Sequence, residues 1–345
     1  MWRATHESFL VSPFARDLLA TLPARRIGSR WFYDRRGSEL FEAITELPEY
    51  YPTRTETALL RAHAGEMAAF LGPDATVVEY GAGALNKVRI LLGALERPRR
   101  FKPIDVSGEF VKHASARLRT NFPALPVEPI VASFTDRFDF GLDRGLDGSL
   151  DGGLASDPNP VGFFPGSTVG NLEDGEIVAL LRHARALDRF LLGVDLVKDP
   201  QIMVAAYDDS RGVTAEFNLN LLARANREAD ADFDPRAWRH VALWNGESSR
   251  MEMHLESRSA QTVEVAGQPF RFEEGERIHT EISRKFTPER LAPLLAEGGW
   301  ELERPWIDSA TPYAILGLIR SAKPASAKPA SAKPASAKPA SEGSA

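Results

Sequence analysis

The residues with the most chemical content close an apolar run, in Val77-Val78-Glu79-Tyr80-Gly81-Ala82-Gly83. The run reads as a buried strand, and the glycines as a turn into a helix that starts near Leu85. Strand, acidic residue, glycine turn and helix together open a nucleotide pocket in a doubly wound α/β protein. Gly81 and Gly83 allow a tight turn and a close backbone approach to a ligand, although a lone Gly-x-Gly is also an ordinary turn. Asn86 stands where a dinucleotide fingerprint has its third glycine, and no phosphate-loop Gly-Lys-Ser/Thr follows. Asp105 ends the next apolar run, where a carboxylate hydrogen-bonds ribose hydroxyls or, with Ser107, caps the following helix. Lys87, in the first turn of a helix, opposes the dipole there and calls for an anionic partner such as a ligand carboxylate. Ser133 and Phe134 end a third strand where an adenine would lie; Phe134 either packs on the purine or belongs to the core. Further on, Glu281 and Ser283 are two apart in an apparent strand and share a face, which could equally be a solvated one.

These residues need elements to hold them. Strands are expected at Thr76–Tyr80, Lys102–Val106, Val127–Phe134, Val161–Phe164 and Arg189–Val194, with helices at Lys87–Leu95, Glu109–Leu118 and Asp174–Ala184. The alternation predicts a parallel sheet covered by helices on both faces. After residue 200 it breaks into helical stretches mixed with strand-like ones, Ser257–Val265 and Arg277–Ser283. A helix at Thr287–Glu297, with Thr287 as N-cap, and an apolar strand at Ala314–Arg320 follow. The expected organisation is therefore a core at 55–199 completed by 286–320. A second lobe comes from 1–54 and the insertion 200–285, with the ligand pocket between the two. Residues 141–160 read as a surface loop, and the Ser-Ala-Lys-Pro repeats of 321–345 as a disordered basic tail.

The composition of the 345 residues is that of a globular protein with a net charge of −6. The tail carries four lysines and one glutamate, so the body is more acidic still, against a nucleic-acid backbone as partner. The absence of cysteine excludes disulfides, thiolate zinc and a cysteine nucleophile. The seven histidines form no His-x-x-x-His or other ligand spacing, so no metal is expected. Without a signal-peptide core or a membrane-length apolar run, the expectation is a cytoplasmic monomer with no membrane contact.

Glu79 two residues before Gly81 is the arrangement seen in S-adenosylmethionine (SAM) methyltransferases. Five longer strings carry a closer resemblance. They are Trp31-Phe32-Tyr33-Asp34 with Gly37-Ser38, Leu47 to Glu56, Gly166-Ser167-Thr168-Val169-Gly170-Asn171-Leu172, Ala206-Tyr207-Asp208-Asp209 with Gly212-Val213-Thr214-Ala215, and Thr280-Glu281-Ile282-Ser283 with Lys285-Phe286. In this order, from about residue 28 to 320, the chain resembles the histidine-specific Nα-methyltransferases of ergothioneine biosynthesis. The resemblance implies a class I SAM-methyltransferase (Rossmann-like) doubly wound sheet with a second α+β lobe. It implies trimethylation of the α-amino group of L-histidine to hercynine. It places Gly81, Lys87, Asp105 and Phe134 around SAM, Asn171 and Tyr207 at the substrate carboxylate, and Tyr50 near the amino group with Tyr33. Glu281 and Ser283 fall at the imidazole, with Met253 lining that pocket. Ser133 stands where the family carries aspartate beside the adenine amino group, and Val88 replaces a threonine.

A neutral imidazole has one N–H donor and one bare nitrogen, so a carboxylate and a hydroxyl read both edges. Phenyl or indole would leave one of them unpaired, at about 1–3 kcal/mol in a buried site. Methyl transfer is an in-line displacement that needs a neutral nitrogen, and Tyr50 would orient it. Aromatic walls such as Tyr33 and Tyr50 tolerate a methylated ammonium through cation–π attraction. The competing readings are a family member acting on another amino acid, a non-catalytic SAM-binding regulator and an NAD-dependent dehydrogenase.

Overall fold

A computed structural model of the protein describes residues 12–83, 85–133 and 159–322. Seven strands make the larger sheet: β1 (Thr76–Tyr80), β2 (Arg100–Asp105), β3 (Ile130–Val131), β4 (Pro160–Phe164), β5 (Arg189–Asp195) and, after an excursion, β11 (Trp300–Asp308) and β12 (Tyr313–Arg320). The excursion holds β6 (Trp238–Asn245), β7 (Arg250–Ser257), β8 (Gln261–Val265), β9 (Gln268–Phe272) and β10 (Arg277–Arg284). Helices are α1 (Pro13–Thr21), α2 (Arg35–Thr45), α3 (Tyr51–Leu71), α4 (Asn86–Ala94), α5 (Gly108–Asn121), α6 (Asp174–His183), α7 (Pro200–Tyr207), α8 (Val213–Glu228) and α9 (Pro288–Gly298).

The large sheet runs β11-β12-β5-β4-β1-β2-β3. β1 to β5 pair in parallel, whereas β12 is antiparallel to both β5 and β11. β1, β4 and nearly all of β5 are buried, as a parallel sheet with two covered faces requires. The strand order reverses at β1, which pairs with β2 on one side and β4 on the other. A crevice for ligands opens there, beyond the carboxyl ends of the strands. Gly81 and Gly83, at φ 61° and 53°, make the turn, and Leu85 caps α4 in the left-handed region at φ 60°.

Two cores flank this sheet, drawn from segments between Leu59 and Leu318 with none from 200–285. A third core uses only Phe14 to Tyr51 and Met203 to Ile278. It lies against a three-stranded sheet, β10-β7-β6, and a hairpin, β8-β9. The chain crosses back at Phe286, whose N–H donates to the Asp195 carbonyl at 2.8 Å, so β10 leads straight to the end of β5.

Several expected boundaries shift for local reasons. The third strand shrinks to Ile130–Val131 with one isolated bridge, Phe101–Val127, because Pro129 has no N–H for the ladder. Phe134, nearly all of the 141–160 loop and nearly all of the tail lie outside the described residues. The single stretch expected at Ser257–Val265 is the end of β7, a turn and β8. β11 was not expected; its charged residues and Pro305 fit the sheet edge it occupies. No helix among the described residues is long and apolar enough to cross a membrane.

Candidate active site

All seven residues expected on the substrate side line one pocket: Tyr33, Tyr50, Asn171, Tyr207, Met253, Glu281 and Ser283. It holds about 510 Å³ of free space, open solvent at its mouth included, and is walled further by Phe41, Ile44 and Phe217. Tyr33 follows the short turn Ser29–Phe32, and Tyr50 precedes α3, where Pro52 favours helix entry. Asn171 ends a turn, Thr168–Asn171, shortly after β4, and Tyr207 ends α7. Met253 comes from β7, and Glu281 and Ser283 from its neighbour β10.

The register of β10 against β7 slips between His279 and Glu281, so Thr280 is an extra residue in the strand. Such a bulge re-aims the side chains that follow it. Beyond it Glu281 pairs with Met253 and Ser283 with Met251, on the buried side, while His279 before it pairs with His254.

Within the pocket the expected subsites bond to each other. Asn171 Nδ2 donates to Glu281 Oε1 at 3.0 Å, and Tyr207 Oη donates to Ser283 Oγ at 2.7 Å. Lys285, two residues past Ser283 and on the same face, is 1% exposed. Its Nζ donates to Tyr207 Oη at 2.9 Å and to Ser283 Oγ at 3.0 Å, and it pairs with Asp195 Oδ2 at 2.9 Å. Asp195, at the end of β5, also accepts from Tyr51 Oη at 2.7 Å and pairs with Lys198.

Burial raises the Glu281 carboxyl to about 7, with Lys285 and Asn171 acting in the opposite direction. Burial would lower the Lys285 ammonium, but Asp195 and Tyr207 outweigh it and hold it above the usual range. Tyr33 and Tyr50 are pushed up by burial first and by neighbouring Glu281 among other groups, so both stay protonated. Their rings form an edge-to-face wall: Tyr33–Phe41 at 5.7 Å, Phe41–Tyr50 at 6.2 Å and Tyr50–Tyr207 at 6.4 Å between centroids.

Of the residues expected around a cofactor, Glu79, Gly81 and Asp105 lie at the carboxyl ends of β1 and β2. Asp105 Oδ2 accepts from Gly83 N at 3.0 Å and Oδ1 from Ser107 N at 2.9 Å, so one carboxylate fastens the glycine turn and precedes α5. Asp105 also acts electrostatically on Tyr33, which joins the two halves of the crevice. Glu79 is buried in β1; its Oε2 has no hydrogen-bond partner, and burial holds its pKa well up. Lys87, expected against a ligand carboxylate, pairs at 2.5 Å with Glu56, a wholly buried carboxylate in α3. Glu56 also accepts from Gly166 N, at 2.8 and 3.0 Å. Gly193 permits this, since a Cβ there would lie 2.1 Å from Glu56 Oε1. Ser133 is half-buried just past β3, and exposed Val106 and Val131 flank that end of the sheet. A glycine turn, an orphaned buried acceptor and apolar valines suit a nucleoside with a polar tail.

Glu252, His254 and His279 bring potential metal-ligating atoms within 4.8 Å of one another across β7 and β10, a grouping that linear spacing does not reveal. Arg250 Nε donates to Glu252 at 2.7 Å, and Arg26, Arg250 and Arg277 act on these histidines, a positive surrounding that opposes a cation.

Sequence reasoning missed Glu56, Tyr51, Asp195, Lys198 and Lys285. Two signals were available. Lys285 continues the Glu281, Ser283 alternation, and Asp195 ends a parallel strand, where ligands and their supports collect.

The order of the large sheet, with its penultimate strand reversed, and the glycine turn at its switch point are those of the class I SAM-methyltransferase fold. A family model described as "Histidine-specific methyltransferase, SAM-dependent" matches residues 14–319, and the chain belongs to that family. It is 40% identical to the histidine N-alpha-methyltransferase of Mycolicibacterium smegmatis, over 88% of this chain and 94% of that one. Identity to the Mycobacterium tuberculosis protein of the same name is 39%, over 83% and 88% of the two chains. Ergothioneine biosynthesis protein 1 of Neurospora crassa is 28% identical over 82% of this chain, which matches 32% of that longer protein.

Proposed function

We propose that this enzyme methylates the α-amino nitrogen of L-histidine three times, giving hercynine, as a cytoplasmic monomer. Residues 55–199 and 286–320 form the cofactor core in this reading, and 1–54 and 200–285 the substrate lobe. The observation that carries it is the pocket, where Glu281 and Ser283 stand side by side under Asn171, Tyr207 and a tyrosine wall.

SAM, when bound, supplies an electrophilic methyl group on a good leaving group. Gly81, Gly83 and Asp105 receive its nucleoside, with Glu79 supporting the turn and Ser133 and Phe134 at the adenine. Lys87, shared with Glu56, faces its carboxylate. Glu281 and Ser283 take the two edges of the imidazole, and Met253 packs on the ring. Asn171 and Tyr207 turn from their present partners toward the substrate carboxylate. Tyr50, aided by Tyr33, holds the amine so that its lone pair faces the methyl carbon at about 3 Å. The amine must lose one proton to solvent before each transfer, and the protonated tyrosines orient the neutral amine through an acceptor oxygen rather than acting as its base. After each transfer the wall faces a bulkier cation, which aromatic faces stabilise.

The test is mass spectrometry of products formed with SAM and each of the twenty amino acids. Histidine gaining three methyl groups supports the reading. Methylation of another amino acid in preference, or of none despite SAM binding, defeats it.

A further inference from the structure

We propose that Lys285, anchored on Asp195, is a positioning residue that fixes the direction of the Ser283 hydroxyl. It biases Ser283 to donate its proton to the substrate ring. The inference rests on the reading that Ser283 meets the imidazole.

Proton counting sets the direction. A buried ammonium has three N–H bonds, and Lys285 Nζ has three oxygen partners within 3.0 Å: Asp195 Oδ2, Tyr207 Oη and Ser283 Oγ. Tyr207 therefore accepts from Lys285, and its single proton goes to Ser283 Oγ at 2.7 Å. Ser283 Oγ, with two lone pairs, now accepts two bonds and has no capacity to accept a third. Its only proton is left for an acceptor elsewhere, and its side chain lines the pocket. The polarity runs one way, from Lys285 to Ser283 directly and through Tyr207.

A serine hydroxyl by itself rotates freely between donating and accepting, so it discriminates poorly between a bare nitrogen and an N–H. Removing both acceptor positions ends that freedom. When Tyr207 turns to the substrate carboxylate it gives back one acceptor position, and Lys285, holding the other, keeps the hydroxyl biased toward donation. The anchor is firm because Asp195 and Lys285 are each 1% exposed or less and Asp195 balances the charge. Neutral imidazole, with a bare nitrogen for Ser283 and an N–H for Glu281, meets both demands.

The experiment measures kcat/KM for histidine and for the two pyrrolylalanine isomers, in which one or the other ring nitrogen is replaced by CH. Wild-type enzyme should favour histidine over both. Lys285→Met should lower kcat/KM for histidine by about tenfold to a hundredfold, mainly through KM, the scale of one buried hydrogen bond. The same change should barely alter the pyrrole isomer that keeps an N–H for Glu281, so discrimination against it collapses as in Ser283→Ala. Tyr207→Phe, which keeps the packing, should erode the same discrimination partially, and it decides the matter if Lys285→Met does not fold. Equal losses for histidine and the analogue in both variants would reduce Lys285 to a structural role and overturn the proposal. A wild-type enzyme that leaves histidine untouched would instead defeat the function proposed above.

Discussion

The two ends of the crevice are built by opposite means. At the cofactor end, side chains are tied largely to backbone: Asp105 holds Gly83 and Ser107, and Glu56, paired with Lys87, holds Gly166. At the substrate end, side chains from six segments are tied to one another, as Asn171 is to Glu281 across 110 residues. The first arrangement keeps its shape in the backbone, fastened at a few points by buried carboxylates. The second concentrates discrimination, and its energetic cost, in a few buried polar groups.

Glu281→Ala should break the substrate end alone. It should lower kcat/KM for histidine by about tenfold to more than a hundredfold, the scale of a lost buried charged hydrogen bond. SAM affinity, measured by calorimetry, should change little; equal losses would remove Glu281 from the ring.

The cost of that end should appear as a pH-dependent stability. Glu281 is raised from 4.5 to about 7 in the fold. The native state then holds more protons than the unfolded chain between these values, so this group lowers stability as pH rises through that window. Glu281→Gln should be more stable than wild type at pH 8, by about 3 kcal/mol, with the gap closing toward pH 4.5 in denaturant titrations. A constant gap would mean that the charge is not the cause.

The cofactor end should answer to Asp105→Ala. SAM affinity should fall about tenfold, from the lost ribose contact and the loosened glycine turn. The KM for histidine at saturating SAM should stay within about twofold; a larger change would mean that the two ends are not separable. The smallest effect belongs to Ser133→Asp, which adds a charged acceptor where the adenine amino group is expected and should tighten SAM binding a few-fold. Weaker binding would place the adenine elsewhere.

The same contrast governs what was legible in the sequence. The β1 turn, Asp105 and the strand–helix alternation are local patterns, so they could be read directly. Glu281 and Ser283 could be placed on one face by parity, but nothing in the linear order pairs Ser283 with Tyr207 or Lys285 with Asp195. The resemblance supplied the substrate-side set without the buried lysine and aspartate beneath it. β11 escaped because an edge strand with Glu301, Glu303, Arg304 and Pro305 lacks the apolar alternation of a core strand.

The extra residue at Thr280 has a consequence for how such a site can diversify. Parity along a strand is binary, and this bulge inverts it once, between an outward histidine and an inward glutamate. Substitutions beyond it can retune which ring is admitted, one side chain at a time. Deleting one residue there would instead turn Glu281 and Ser283 out of the pocket and Lys285 away from Asp195 together. Ligand preference is thus open to gradual drift, whereas the length of this strand is not.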